Sequence, residues 1–352
     1  MLLIKGMGKK ELLATALYRA GVLGPVRLFQ RSQLVVVTYH RIKPNEAPAR
    51  TPFDAGVFGP SQAAFQQQVV WLKRNFDVLT ESELLDVLRR PTFRGRFAAI
   101  TFDDGYRDNY TLAYPVLRAH DVPAIFFVCP GVLDSRRVGW WDLIAYFIRH
   151  TKKPALTVRG TTRAIEAAGP HLLHMMKLRT ASETEGLMGE VSAACGVPMP
   201  DAAAQSEQFM TWDEVLEVSR NGVAIGSHTH THRVLATLDE DAQRWELSES
   251  RATLEARLGR PPRTLAYPVG GYDHFTPATM RIAREVGYEG AFSFHTGANY
   301  SGACHPYNLK RISCTQHLDA LFAAGVYLPQ VFSWFHPAPV AYTGHTVTTT
   351  VA

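Results

Sequence analysis

Six short apolar runs that alternate with helical patterns constrain the fold of this chain more than any other feature. The runs are QLVVVTYH (33–40), RFAAITFDDG (96–105), PAIFFVCPG (123–131), VAIGSH (223–228), RTLAYPVG (263–270) and YEGAFSF (288–294). Helical spacing of apolar residues marks the stretches 60–76, 81–90, 109–121, 211–222, 241–259 and 276–287. A short apolar run bounded by turn residues suits a strand buried on both faces. Strands alternating with helices imply parallel βα units, so an α/β fold is expected, either a doubly wound sheet or a barrel. In both, residues that do chemistry gather where the strands end. Residues about 134–210, which include WWDLIAYFIRH, break the rhythm and read as a mostly helical insertion.

Composition narrows the function classes. Of 352 residues, 46% are hydrophobic and 20% charged, enough apolar material for a sizeable core. The net charge of +5 is spread without a basic run, so a nucleic-acid partner is not expected. Cys129, Cys195, Cys304 and Cys314 form no CxxC pair and read as buried or incidental thiols rather than a disulfide framework or zinc knuckle. No apolar stretch is long enough to span a bilayer. Glu11, Tyr18 and Arg19 interrupt the apolar N-terminus and no small-residue cleavage site follows, so no signal peptide is expected. Over 1–33, Leu12, Leu13, Ala16, Leu17 and Ala20 fit a helical stripe ringed by Lys9, Lys10, Arg19, Arg27 and Arg31. Such a helix suits packing on its own domain or peripheral contact with an anionic membrane. The location expected is the cytoplasm or the inner membrane face. Residues 316–352 read as a C-terminal extension with a disordered end.

Two motifs carry chemistry. In FAAITFDDGY, Asp103 continues the strand's alternation while Asp104 turns away, helped by Gly105. Adjacent carboxylates therefore take different directions and can take different roles, one on a metal and one on a proton. In IGSHTHTHRVL, His228, His230 and His232 sit at alternate positions. A strand would project all three to one side. A helical turn beginning at Thr229 would instead put His228 and His232 on one face at i,i+4 and turn His230 away. Two histidines and one carboxylate make an open three-ligand set with a position left for water.

TFDDGY, HTHTH and AYPVGGYD together resemble the polysaccharide deacetylases, the NodB-homology domain of carbohydrate esterase family four, over most of residues 34–315. The resemblance implies a distorted (β/α) barrel of about seven parallel strands. It also implies a divalent metal, with zinc preferred and cobalt or nickel able to serve, and removal of N-acetyl groups from a sugar polymer. Asp103 becomes the general base, and Asp104, His228 and His232 the metal ligands, with His230 outside the set. Tyr267, Pro268, Val269 and Gly270 become the substrate and oxyanion loop, Val269 N–H helping to hold the oxyanion. Two departures stand out. Ala266 occupies the place of an arginine that supports the base, and Arg311, in YNLKRISC, is the candidate replacement from a later strand. No histidine of an LxH strand follows residue 300 (His317 does not fit), so His40 is the candidate general acid, as in circularly permuted members. An imidazole can hold and release a proton near neutral pH.

The function expected is hydrolysis of N-acetyl groups on an N-acetylhexosamine-containing polysaccharide or envelope glycan. One rival is a metal-dependent hydrolase of a small amide or cyclic ureide, and another is a silent glycan-binding homologue. Trp140, Trp141, Tyr272 and Tyr300 are candidate sugar-stacking surfaces, the tryptophan pair equally a helical core.

Overall fold

Each of the six apolar runs forms a strand, and a seventh near the C-terminus closes them into a ring. The computed structural model describes residues 32–45, 51–177 and 181–314, with residues 16, 20 and 21 besides. The barrel strands are β1 Gln33–Tyr39, β2 Arg96–Phe102, β3 Ile125–Val128, β4 Ala224–Ser227, β5 Thr264–Ala266, β6 Gly290–Thr296 and β7 Leu309–Ser313. Each pairs in parallel with its neighbour in sequence, and β1 pairs with both β2 and β7, so the barrel is closed. The longest register runs from Gln33 opposite Arg96 to Tyr39 opposite Phe102.

Alternation along the strands sorts the core into two layers. Val35, Val37 and Tyr39 of β1 and Ala98, Ile100 and Phe102 of β2 pack outward with Phe65, Val69 and Leu72 of the helix Gln62–Asn75. Leu34, Val36, Ala99, Phe127, Phe292 and Leu309 face the other way and fill the barrel with Leu84, Leu85 and Phe93. Leu84 and Leu85 belong to the helix Glu81–Leu88, whose N-terminus carries a capping box between Thr80 and Glu83. The same inward column continues upward into polar residues: Thr38 on β1 and His40 after it, Thr101 on β2 and Asp103 after it, and Arg311 on β7.

The insertion is helical, over Trp140–His150, Ile165–Lys177, Ala181–Cys195 and Ala202–Ser206, but it also holds an antiparallel hairpin, Ala155–Val158 with Thr161–Ala164. It has its own core around Phe147, Leu156, Leu172, Leu187 and Val191. The stretch expected as one helix over 109–121 is a π-helical turn, Asn109–Ala113, followed by the α-helix Tyr114–Ala119. Except for residues 16, 20, 21, 32 and 33, the segment 1–33 lies outside the described residues, as do the extension 316–352 and His317. No helix among the described residues is long and apolar enough to cross a membrane.

Candidate metal centre and active site

Three side chains converge where β2 and β4 end. The backbone turns at Asp104, which adopts a left-handed φ of 73°, and at Gly105, φ 77°. His228 follows β4 directly, and its Nδ1 donates to the Ala266 carbonyl at 2.8 Å, which leaves Nε2 as the free lone pair. His228 Nε2 and His232 Nε2 stand 3.4 and 3.2 Å from Asp104 Oδ1. All three residues are buried, and their ligand atoms lie within 4.8 Å of one another. Two ligands about 2.1 Å from a tetrahedral zinc stand about 3.4 Å apart, so the spacing fits that ion. The Asp104 Oδ1 atom is buried and no hydrogen bond reaches it among the described residues, an electron pair that a cation would satisfy. Burial opposes a charge on the Asp104 carboxyl, yet the two imidazoles beside it hold it well below the usual carboxylate range.

The histidines meet without a helix. Residues 228–234 form an irregular loop in which Thr229 (φ 62°) and His232 (φ 60°) both adopt the left-handed conformation. The expected helical turn is absent because local side-chain hydrogen bonds, together with others from outside the segment, hold another shape. Thr229 N–H donates to Ser227 Oγ at 3.2 Å, and Thr229 Oγ1 accepts from His232 N–H at 3.1 Å. Glu246, from the helix Glu240–Leu258, accepts from the N–H groups of His230 and Thr231 at 2.9 Å each, and from the Thr231 hydroxyl. The His230 carbonyl accepts from Gly131 N–H at 2.9 Å, and its ring lies edge-on to Trp245 at 5.3 Å. His230 is therefore outside the cluster. Of the seven non-glycine residues with positive φ among the described residues, Asp104, Thr229, His232 and Val269 belong to this site. Backbone strain of that kind gathers where the surroundings over-determine a geometry.

Asp103 sits beside this cluster with a different set of partners. Arg311 Nη1 donates to Asp103 Oδ1 at 2.7 Å and to Thr38 Oγ1 at 3.1 Å, and its Nε donates to the Ser293 carbonyl at 2.8 Å. Both members of this ion pair are buried. Burial alone would raise the Asp103 carboxyl, but Arg311, with His228 and His40 adding, outweighs it and holds the group below the usual range. The other oxygen, Oδ2, stands 4.0 Å from His40 Nε2, beyond hydrogen-bond reach and free for another partner. His40 keeps a partly exposed side chain next to the Phe294 ring, 5.8 Å away. Ala266 stands where the resemblance implied an arginine, and the guanidinium that reaches Asp103 comes instead from Arg311 on β7.

The loop after β5 approaches the same site. Ala266 is its tie to His228, Tyr267 is buried, Val269 is left-handed (φ 59°) and Gly270 likewise (φ 60°). A side chain at Gly270 would meet the Phe294 amide nitrogen at 2.8 Å, so only glycine fits there. Val269 N–H makes no hydrogen bond within the chain among the described residues.

Sequence reading gave Tyr106 and Phe294 no place at the site, and offered Trp141 as a sugar-stacking surface or a core residue. Trp141 is buried against the His232 ring, 4.1 Å between centroids, and its Nε1 donates to Tyr106 Oη at 2.8 Å. It is therefore not a sugar platform. Tyr300 lies opposite Gln33, at the far end of β1 from the site. Tyr272 is 78% exposed and stacked on His295 at 3.9 Å. The only sequence signal for Trp141 was the WWD repeat of aromatics opening a helix, which a helical core explains as well.

The sequence profile of the polysaccharide deacetylase family matches residues 90–291. The chain is 22% identical over 271 residues to YxkH of Bacillus subtilis (strain 168), named as a polysaccharide deacetylase, covering 76% of this chain and 66% of that protein. It is 32% identical over 89 residues to the poly-beta-1,6-N-acetyl-D-glucosamine N-deacetylase of Staphylococcus aureus, 25% of this chain and 31% of that one. It thus spans less than two thirds of either relative. The fold is similar to that of the Streptococcus pyogenes deacetylase PplD, solved with acetate, with a TM-score of 0.56 at 19% identity over 83% of this chain and 96% of that one. IcaB from Ammonifex degensii gives 0.50 at 21% identity, over 87% and 97%.

Proposed function

The chain belongs to the polysaccharide deacetylase family, and from that membership we propose that it hydrolyses N-acetyl groups of an N-acetylhexosamine-containing polysaccharide or envelope glycan, releasing acetate. The observation that carries the reading is the pairing of two differently held carboxylates: Asp104 with two imidazoles, Asp103 with a guanidinium. One is built to hold a cation and the other to stay ionised with an oxygen to spare. Asp104, His228 and His232 would hold the divalent metal, and a donor set of two nitrogens and one oxygen suits zinc, with cobalt or nickel as substitutes. That ion would supply Lewis-acid polarisation of the acetamide carbonyl and a lowered pKa for water.

The chain's own residues account for the proton traffic. Asp103 Oδ2 accepts the proton of the attacking water, and Arg311 on Oδ1 keeps the carboxylate ionised and fixed in direction. Val269 N–H has no acceptor among the described residues and serves the oxygen that turns negative in the tetrahedral state. His40, across Asp103 and open to solvent on one side, protonates the departing amine. The S. aureus relative's name supports a polymer of N-acetylglucosamine as the substrate class.

The test is acetate release from N-acetylated oligosaccharides by chelated protein and by protein restored with zinc, cobalt or nickel. Release should require metal and should fall by at least about a thousandfold in Asp103→Asn, which keeps the shape and loses the base. Stoichiometric metal binding with no release from any glycan would remove this reading in favour of a small-amide hydrolase or a silent glycan-binding protein.

A further inference from the structure

The two histidines of the metal centre are held by different means. His228 has its Nδ1 tied to the Ala266 carbonyl at 2.8 Å. Such a bond on the nitrogen away from the metal is the usual way a ligand imidazole is oriented. The equivalent atom of His232 is buried and makes no hydrogen bond among the described residues. His232 also has a left-handed backbone, φ 60°, which a non-glycine residue keeps only when its surroundings impose it. What lies against its ring is Trp141, 4.1 Å between centroids and tilted by 47°.

Trp141 is itself fixed. Its Nε1 donates to Tyr106 Oη at 2.8 Å, and that hydroxyl donates to Asp142 Oδ2 at 2.9 Å. Asp142 Oδ1 accepts from Asp54 N–H at 2.9 Å. Tyr106 is stacked on Phe209 at 5.1 Å and covered by the Arg41 guanidinium at 4.5 Å. Trp141 and Asp142 open the helix Trp140–His150, the first long helix of the insertion. We infer that Trp141 is a positioning residue for His232, its ring face replacing the missing hydrogen bond, so that the insertion completes the metal centre. The inference rests on the proposed metal set, and it makes the insertion part of the site rather than a decoration beside it.

Two apolar variants separate the ring from mere filling. Trp141→Phe keeps a flat ring over His232, and Trp141→Leu keeps apolar bulk without one. Metal affinity of the full chain is measured by competition with a chromophoric chelator, with thermal melts of the metal-free proteins alongside. Trp141→Phe is expected within about threefold of wild type, and Trp141→Leu about tenfold weaker, at similar metal-free melting temperatures. Equal affinities in all three proteins, or equal losses in both variants, would overturn the inference. Should Trp141→Leu fail to fold, tryptophan fluorescence decides. Stoichiometric cobalt should quench wild type strongly and Trp141→Phe much less, and equal quenching would show that Trp141 does not lie against the loaded ligand. Wild-type protein that binds no divalent metal would sink the metal centre and this inference with it, a result distinct from tight binding indifferent to Trp141.

Discussion

Asp103 stays charged in a place where burial alone would neutralise it, and Arg311 is the reason. Replacing Arg311 by Met leaves a buried carboxylate with no fixed cation, a change that costs about 3–5 kcal/mol when one partner of a buried pair is removed. Denaturant unfolding at neutral pH should show that loss. Linkage gives the direction with pH. The folded carboxyl titrates below its ordinary 3.8, so the pair's contribution is complete above that value and lost as the pH falls through the folded one. In Arg311→Met the carboxyl takes up its proton at higher pH, so the acid limb of the rate profile should move upward. A variant whose profile overlays wild type would mean that something other than Arg311 keeps Asp103 ionised. Sequence placed Arg311 on a later strand as a candidate partner of Asp103. It could not show the contact, because residues 103 and 311 meet only when β7 closes against β1.

At the scale of elements, the loop 228–232 is held by a helix that follows it in sequence. Glu246 is buried on the helix Glu240–Leu258 and takes three hydrogen bonds from residues 230 and 231. Glu246→Gln keeps the shape but turns one acceptor into a donor facing N–H groups. Supporting residues of this kind are worth ten- to a hundredfold in metal affinity. Chelator competition should therefore find Glu246→Gln weaker by about that factor, with His228 and His232 untouched. Unchanged affinity would mean that Thr229 and Ser227 suffice to shape the loop. The spacing of the histidines suggested a helical turn, which would have made the ligand pair a local property. The pair is instead made by two left-handed residues and a distant carboxylate, neither visible in periodicity.

For the whole molecule, the buried network under the insertion leaves a mark on stability. Burial pushes Asp142 up to about 7, against hydrogen bonds from Asp54 and Tyr106 and the nearby Arg41 that work the other way. The folded state then holds a proton that the unfolded chain releases between pH 3.8 and about 7. Across that window the Asp142 contribution falls as pH rises, by up to about 1.4 kcal/mol per pH unit, and is flat above it. Urea unfolding of wild type and Asp142→Asn at several pH values isolates the term, since asparagine does not titrate. The difference between the two proteins should change across the window, and parallel curves would show that Asp142 keeps an ordinary pKa.

The sequence by itself determined the parallel βα architecture, the two carboxylates at a strand end and the histidines at 228 and 232 as candidate ligands. Each is a local matter: a run of apolar residues, a glycine after a turn, residue types that bind metal. Even the different directions of Asp103 and Asp104 follow from their being adjacent, since neighbours on a strand cannot point the same way. Tertiary structure decided the rest. Closing seven strands brought β1 between β2 and β7, and so set His40 and Arg311 on either side of Asp103. Docking the insertion laid Trp141 on His232. Contacts between residues far apart in the chain leave no period or spacing in it, because their distance is fixed by the barrel's closure and not by the backbone that joins them.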